Sequence, residues 1–164
     1  MTADQAKAVA DVLGQQIQQE WMTTVKVLEA VPEDKKDWKP APDSRSAWDL
    51  AVHIARSDVW FLNGVATHDF TPGPQDAPAP TVKGLVEWYK QEMPKTLERV
   101  LALEHAHLAA TVDFYGMKMP AVHFLVWQAV HNAHHRGQLS TYLRPMGAKV
   151  PSIYGGSADE PWKG

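Results

Sequence analysis

This sequence predicts an all-α fold, a four-helix bundle with one or more long crossing loops and an irregular C-terminal tail. Three observations carry that reading. Four segments place apolar residues at helical spacing, two proline-rich stretches separate the first three of them, and little of the chain alternates apolar with polar residues as a half-buried strand does. The 164 residues form one domain, 1–164, with no internal repeat. At that length a core forms without a metal or a disulfide to hold it.

The first helix runs from Ala3 to about Ala30, on Val9, Leu13, Ile17, Thr24 and Leu28 with Trp21 and Val25 widening the face. From Val31 to Arg45, Pro32, Pro40 and Pro42 rule out a continuous helix and set a connecting loop. Ser46 then caps a second helix, with Asp49 at its third position, and that helix extends to about Ala66. Thr67 to Pro80 holds four prolines and a glycine and reads as the long crossing loop. Thr81 caps a third helix, on the stripe Val82, Leu85, Tyr89, Met93, Thr96, Val100 and Leu103, in which Pro94 predicts a kink or a break. Thr111 to Gly116 is a short extended piece or turn, Pro120 suits the first turn of a fourth helix ending near Leu143, and Met146 to Gly164 is the tail.

Sixteen Lys and Arg against 19 Asp and Glu leave a net charge of −3 and no basic run. Such a surface does not recommend nucleic acid or an anionic membrane as a partner. With no cysteine, a metal must be held by His, Asp or Glu. The polar N-terminus carries no signal peptide and no run is long and apolar enough to span a bilayer, so a cytoplasmic location is expected.

The chemistry concentrates in Val130 to Leu139. On a helix His131 and His135 lie about 40° apart, in a stripe shared with Phe124, Trp127, Gln138 and Tyr142. The spacing suits two ligands on one ion, although chance alone yields roughly 0.4 such pairs in a chain with this histidine content. Bundle metal sites draw ligands from facing helices, and His53 on the second helix, with Leu50, Ser57, Trp60 and Phe61 on its face, is the inward-looking choice for a third. His134 rivals His135, about 60° from His131 on the other side of the stripe. His68, His105, His107 and His123 read as surface residues. Asp49 either accepts the second N–H of His53 or complements the helix dipole, the safer reading. Gln138 and Tyr142 orient a ligand or bond within the core, Trp48, Trp60, Trp88 and Trp127 line a pocket or pack, and Arg136, about 140° from the histidines, reads as a helix-packing or tail-anchoring residue.

These residues resemble the DinB-like superfamily of small bacterial metal-binding four-helix bundles, which shares only a name with the DNA polymerase and includes thiol-dependent transferases. The likeness runs through Val31-Pro32-Glu33-Asp34-Lys35, Trp38-Lys39-Pro40 and Ser46-Ala47-Trp48-Asp49-Leu50 to His53, and resumes from His131 through Arg136-Gly137-Gln138 to Leu139. It ends with Tyr142-Leu143-Arg144-Pro145-Met146-Gly147 and Val150 to Gly155. The resemblance implies that His53, His131 and His135 bind one divalent ion, zinc or nickel, and it favours His135 over His134 because the family's ligand directly precedes the Arg-Gly pair. It also supports a low-molecular-weight thiol, such as bacillithiol or mycothiol, as co-substrate. A homodimer is one assembly open to the chain.

Two classes of function follow. One is a metal-dependent hydrolase or thiol S-transferase, since three neutral imidazoles leave coordination positions for water or substrate. The other is a non-catalytic metal or small-ligand binding protein of the stress response, because no general base stands out beside the three histidines. An open position joined to a reachable pocket separates the first from the second.

Overall fold

The protein, described here from a computed structural model over residues 1–74 and 76–162, is built on four long helices. Helix α1 spans Ala3–Glu29, α2 Ala47–Thr67 and α3 Val82–Leu101; a short α4 (His105–Ala109) and a hairpin of β1 (Thr111–Phe114) and β2 (Met117–Pro120) precede α5 (His123–Leu143). The helices start where the side chains cap them. Thr2 and Gln5 form a capping box on α1, Ser46 and Asp49 another on α2, and the Thr81 hydroxyl accepts the Gly84 amide on α3, each satisfying amides that the first turn leaves free.

Around the bundle, α1 packs on α3 and α5, and α2 packs on the same two. Helices α1 and α2 are therefore diagonal, and so are α3 and α5. Unlike the α2–α3 loop over 67–80, which joins neighbouring helices although the sequence reads it as the crossing one, both diagonal connections, 30–46 and 102–122, cross the bundle's end. The first, which includes a 3₁₀ turn at Glu33–Lys35, is tied across the fold. A Glu33 carboxylate oxygen accepts the Val82 amide at 2.7 Å, Lys36 donates to the Pro80 carbonyl at 2.8 Å, and Lys35 donates to the Met146 carbonyl at 2.7 Å. The core between the helices is largely aliphatic, with Leu28, Leu50, Ile54, Leu62, Leu85, Leu125 and Leu139 fully buried.

The largest departure from the sequence reading lies between α3 and α5. The chain doubles back at Tyr115 and Gly116, both left-handed at φ 52° and 88°, the conformation that a two-residue hairpin turn of primed type requires. Pro120 consequently ends β2, paired with Thr111, rather than entering the last helix, which begins at His123. A proline at a strand terminus costs no interior ladder bond. At Pro94, where a break was one expectation, α3 continues to Leu101. Phe70, Phe114, Phe124 and Trp127 join the hairpin and the α2–α3 loop to α5 in one aromatic cluster, with neighbouring centroids 4.4–5.6 Å apart. Gly64 gives the Phe70 ring its place, since a Cβ there would collide with it.

A buried polar network runs through the apolar core. Asp58, 0 % exposed, accepts from Tyr89 of α3 at 2.5 Å and from Gln128 and Asn132 of α5 at 2.8 and 2.6 Å. Asn132 in turn accepts from Thr24 of α1 at 2.8 Å. Next to it Arg136, 1 % exposed, pairs with Glu20 at 2.5 Å and donates to the Tyr154 hydroxyl, so it both packs helices and anchors the tail. The tail has no helix or strand among the described residues and is further held by Asp159, which accepts from Val150 and pairs with Arg144 at 2.7 Å.

Candidate metal centre

The capped start of α2 and the uninterrupted α5 bring His53, His131 and His135 together, each offering a ring nitrogen within 4.8 Å of the others. Their rings meet edge to face at centroid distances of 4.5–4.9 Å. His53 and His131 approach Nε2 to Nε2 at 3.1 Å. Two ligand nitrogens of a tetrahedral zinc site lie about 3.3 Å apart, as follows from bonds of about 2.0–2.1 Å, so the pair is spaced for a shared cation. Outer hydrogen bonds orient two of the rings. His135 Nδ1 donates to Gln138 Oε1 at 3.1 Å, which leaves its Nε2 carrying the lone pair, and His53 Nδ1 lies 3.4 Å from Ser57 Oγ. Gln138 also donates to the Tyr142 hydroxyl at 3.3 Å. His131 Nδ1 is buried with no hydrogen-bond partner among the described residues. The set fits a divalent ion: three borderline nitrogen donors, of which His135 is fixed in tautomer by the acceptor oxygen of Gln138.

Electrostatics keep these imidazoles neutral, the form that ligates. Burial, aided by the charge of Arg45 and by the other two histidines, lowers the His53 pKa to about 3. Burial, then His135, His134 and Arg45, lowers that of His131 to about 4. The His135 pKa is lowered chiefly by burial, against the opposing hydrogen bond to Gln138. Protons therefore compete weakly for the nitrogens at neutral pH.

His134 is exposed and stands outside the group, which settles its rivalry with His135 in the geometry. Asp49 bonds its own cap residue Ser46; Ser57, one turn along α2, faces the second nitrogen of His53 instead. Gln138 is the outer partner of His135, while Tyr142 is buried edge-on to Trp38 at 5.4 Å. His68 and His107 are half-buried rather than on the surface, stacked at 3.7 Å and each within 3.0 Å of a carbonyl oxygen, those of His107 and Val65. A cavity of about 620 Å³ opens beside His53 between α2, the α2–α3 loop and the hairpin tip, and its wall includes Arg45, Trp48, Asp49, Ser57, Trp60 and Tyr115. Trp127 and Trp88 do not line it, and Trp127 belongs to the aromatic cluster. Sequence reasoning missed Arg45, and it placed Ser57 on the face of His53 without giving it a task.

Replacing Gln138 by Ala frees the His135 ring and weakens metal binding about 10–100-fold, the usual effect of losing an outer-shell partner. A competitive chelator titration measures it; unchanged affinity would show that Gln138 serves only the core.

The profile of the DinB family matches residues 4–163. The chain is 30% identical over 120 residues to the Bacillus subtilis protein YrdA, covering 63% of this chain and 72% of that one. It is 26% identical over 126 residues to YjoA of the same organism, covering 76% and 82%. Among solved structures, the DinB-like protein YjoA superposes with a TM-score of 0.73 at 25% identity over 86% of this chain and 96% of the other. A DinB-like protein from Bacillus cereus gives 0.74 at 26% identity over 87% and 95%. With the fold shared across such relatives and the family's pattern spanning almost every residue, this chain belongs to the DinB family.

Proposed function

We propose that the chain is a metal-dependent enzyme, a hydrolase or a low-molecular-weight-thiol S-transferase, that holds one divalent ion, zinc or nickel, on His53, His131 and His135. One observation carries this reading: the three imidazoles converge without a fourth His, Cys, Asp or Glu among the described residues, and His53 also lines the cavity. A structural site is closed by a fourth protein ligand, whereas a catalytic one keeps a position open. The chemistry that such an ion supplies is Lewis acidity toward a water or a thiol sulfur. The chain's own residues supply the rest. Gln138 and Ser57 hold two rings in register, Trp48 and Trp60 give the cavity beside His53 aromatic walls, and the cavity admits a small molecule. At a net charge of −3 with no basic run the partner is such a small molecule and not nucleic acid.

The test is a panel of thiol-consumption and ester- or amide-cleavage assays on zinc- and nickel-loaded protein, with His131→Ala as control. Turnover that depends on the metal and on His131 is the expected result. Stoichiometric metal without any His131-dependent turnover would favour the non-catalytic binding protein.

A further inference from the structure

Two arginines line the cavity beside the histidines, and they are used differently. Arg56 is committed to the wall: its guanidinium donates to the Asp76 carbonyl at 2.5 Å and to the Pro74 carbonyl, holding the α2–α3 loop against α2. Trp60 reinforces it by donating from Nε1 to the Thr71 carbonyl at 3.2 Å. Arg45, immediately before the Ser46 cap, is exposed and has no hydrogen-bond or ion-pair partner among the described residues. Its charge nevertheless reaches all three imidazoles, where behind burial it adds to the opposition to their protonation. An unpaired guanidinium facing a cavity beside three neutral rings is a ready binder for an anion, and its fork matches a carboxylate in two parallel hydrogen bonds.

The rest of the wall narrows the ligand. Trp48, Trp60 and the hairpin-tip Tyr115, which is 70 % exposed, offer flat apolar faces. Asp49 and Asp76 lie in the same wall and offset the charges of Arg45 and Arg56, so the wall as a whole is near neutral and carries one negative charge on a ligand better than two. We propose that Arg45 is the anchor for the carboxylate of a small monoanionic substrate whose apolar or aromatic body lies against Trp48, Trp60 and Tyr115, with its reacting end at the histidines. The placement of the reacting end rests on the reading given above; the anchor itself stands on Arg45 and the cavity.

Calorimetric titration with 3-phenylpropionate tests this, using 3-phenylpropionamide as the neutral analogue and phenyl phosphate as the dianion. Each is titrated into the metal-free and the zinc-loaded protein, wild type, Arg45→Gln and Arg45→Lys, with circular dichroism to confirm the fold. The carboxylate binds saturably to wild type, about tenfold or more weaker to Arg45→Gln, with Arg45→Lys between them, and the amide and the dianion bind more weakly than the carboxylate. Absence of saturable binding, equal affinity for Arg45→Gln, or a preference for the amide or the phosphate overturns the proposal. Carboxylate binding that needs zinc and ignores Arg45 means that the ion itself takes the anion, which overturns the anchor and leaves the metal reading standing. Arg45-dependent binding in a protein that takes up neither zinc nor nickel supports the anchor and sinks the metal reading.

Discussion

Replacing His131 and His135 together by alanine strips the protein of its divalent ion while leaving the fold intact. Structural zinc in four-ligand peptide sites is bound by roughly 10–16 kcal/mol, about 3 kcal/mol per ligand if shared evenly. Losing two of three ligands therefore weakens binding by about 10⁴-fold, beyond what survives dialysis. The fold does not share the loss. The core around Leu50, Ile54, Leu125 and Leu139 is complete without the site, and both histidines are only half-buried. Elemental analysis after dialysis and a thermal melt read the two effects. Full metal retention in the double variant would remove the three-histidine site altogether, and a collapsed melt would make the ion structural.

Asp58→Ala has the largest expected effect on stability. Its carboxylate is the single acceptor for Tyr89, Gln128 and Asn132, so the truncation leaves a hydroxyl and two amides buried without that partner. Breaking such a network costs about 3–5 kcal/mol, or a fall in melting temperature of roughly 10 °C at about 2–4 °C per kcal/mol for a chain of this size. The loss also depends on pH. Burial raises the Asp58 pKa from 3.8 to about 6, against the three donors and Arg136 that pull it down. Between those values the folded chain keeps a proton that the unfolded chain has released. The resulting stabilisation is full below pH about 4 and gone above about 6. Denaturant melts therefore show a wider gap between wild type and Asp58→Ala at pH 4 than at pH 7. A constant gap would mean that Asp58 titrates in the folded state as it does in the unfolded chain, and a gap that widens toward pH 7 would mean that folding lowers its pKa; either contradicts the raised value.

How much of this was readable in advance follows from the range of the forces involved. The helix starts at Thr81 and Ser46 were legible because capping is a matter of residues three apart. His53, His131 and His135 were legible because each faces inward on an amphipathic helix and the family resemblance selects among them. The hairpin was not fully legible: Tyr115 is an unusual residue at positive φ, and its turn is held by Phe114 packing on Phe70, Phe124 and Trp127, contacts between segments remote in the chain. Asp58, Gln128, Asn132 and Glu20 were hidden for the same reason, since a polar residue on an apolar face names no partner until four helices converge on it. Arg45 looked like the end of a polar loop, and only the cavity beside it gives it a task.

The measurement that bears most directly on the metal centre is X-ray absorption at the metal edge of zinc-loaded protein, compared with His135→Ala. Three imidazole nitrogens at about 2.0–2.1 Å are expected, together with at least one light atom that no protein side chain provides, and a drop to two imidazoles in the variant. A first shell without imidazole, a shell filled entirely by protein atoms, or a spectrum unchanged by the loss of His135 would contradict the open three-histidine centre.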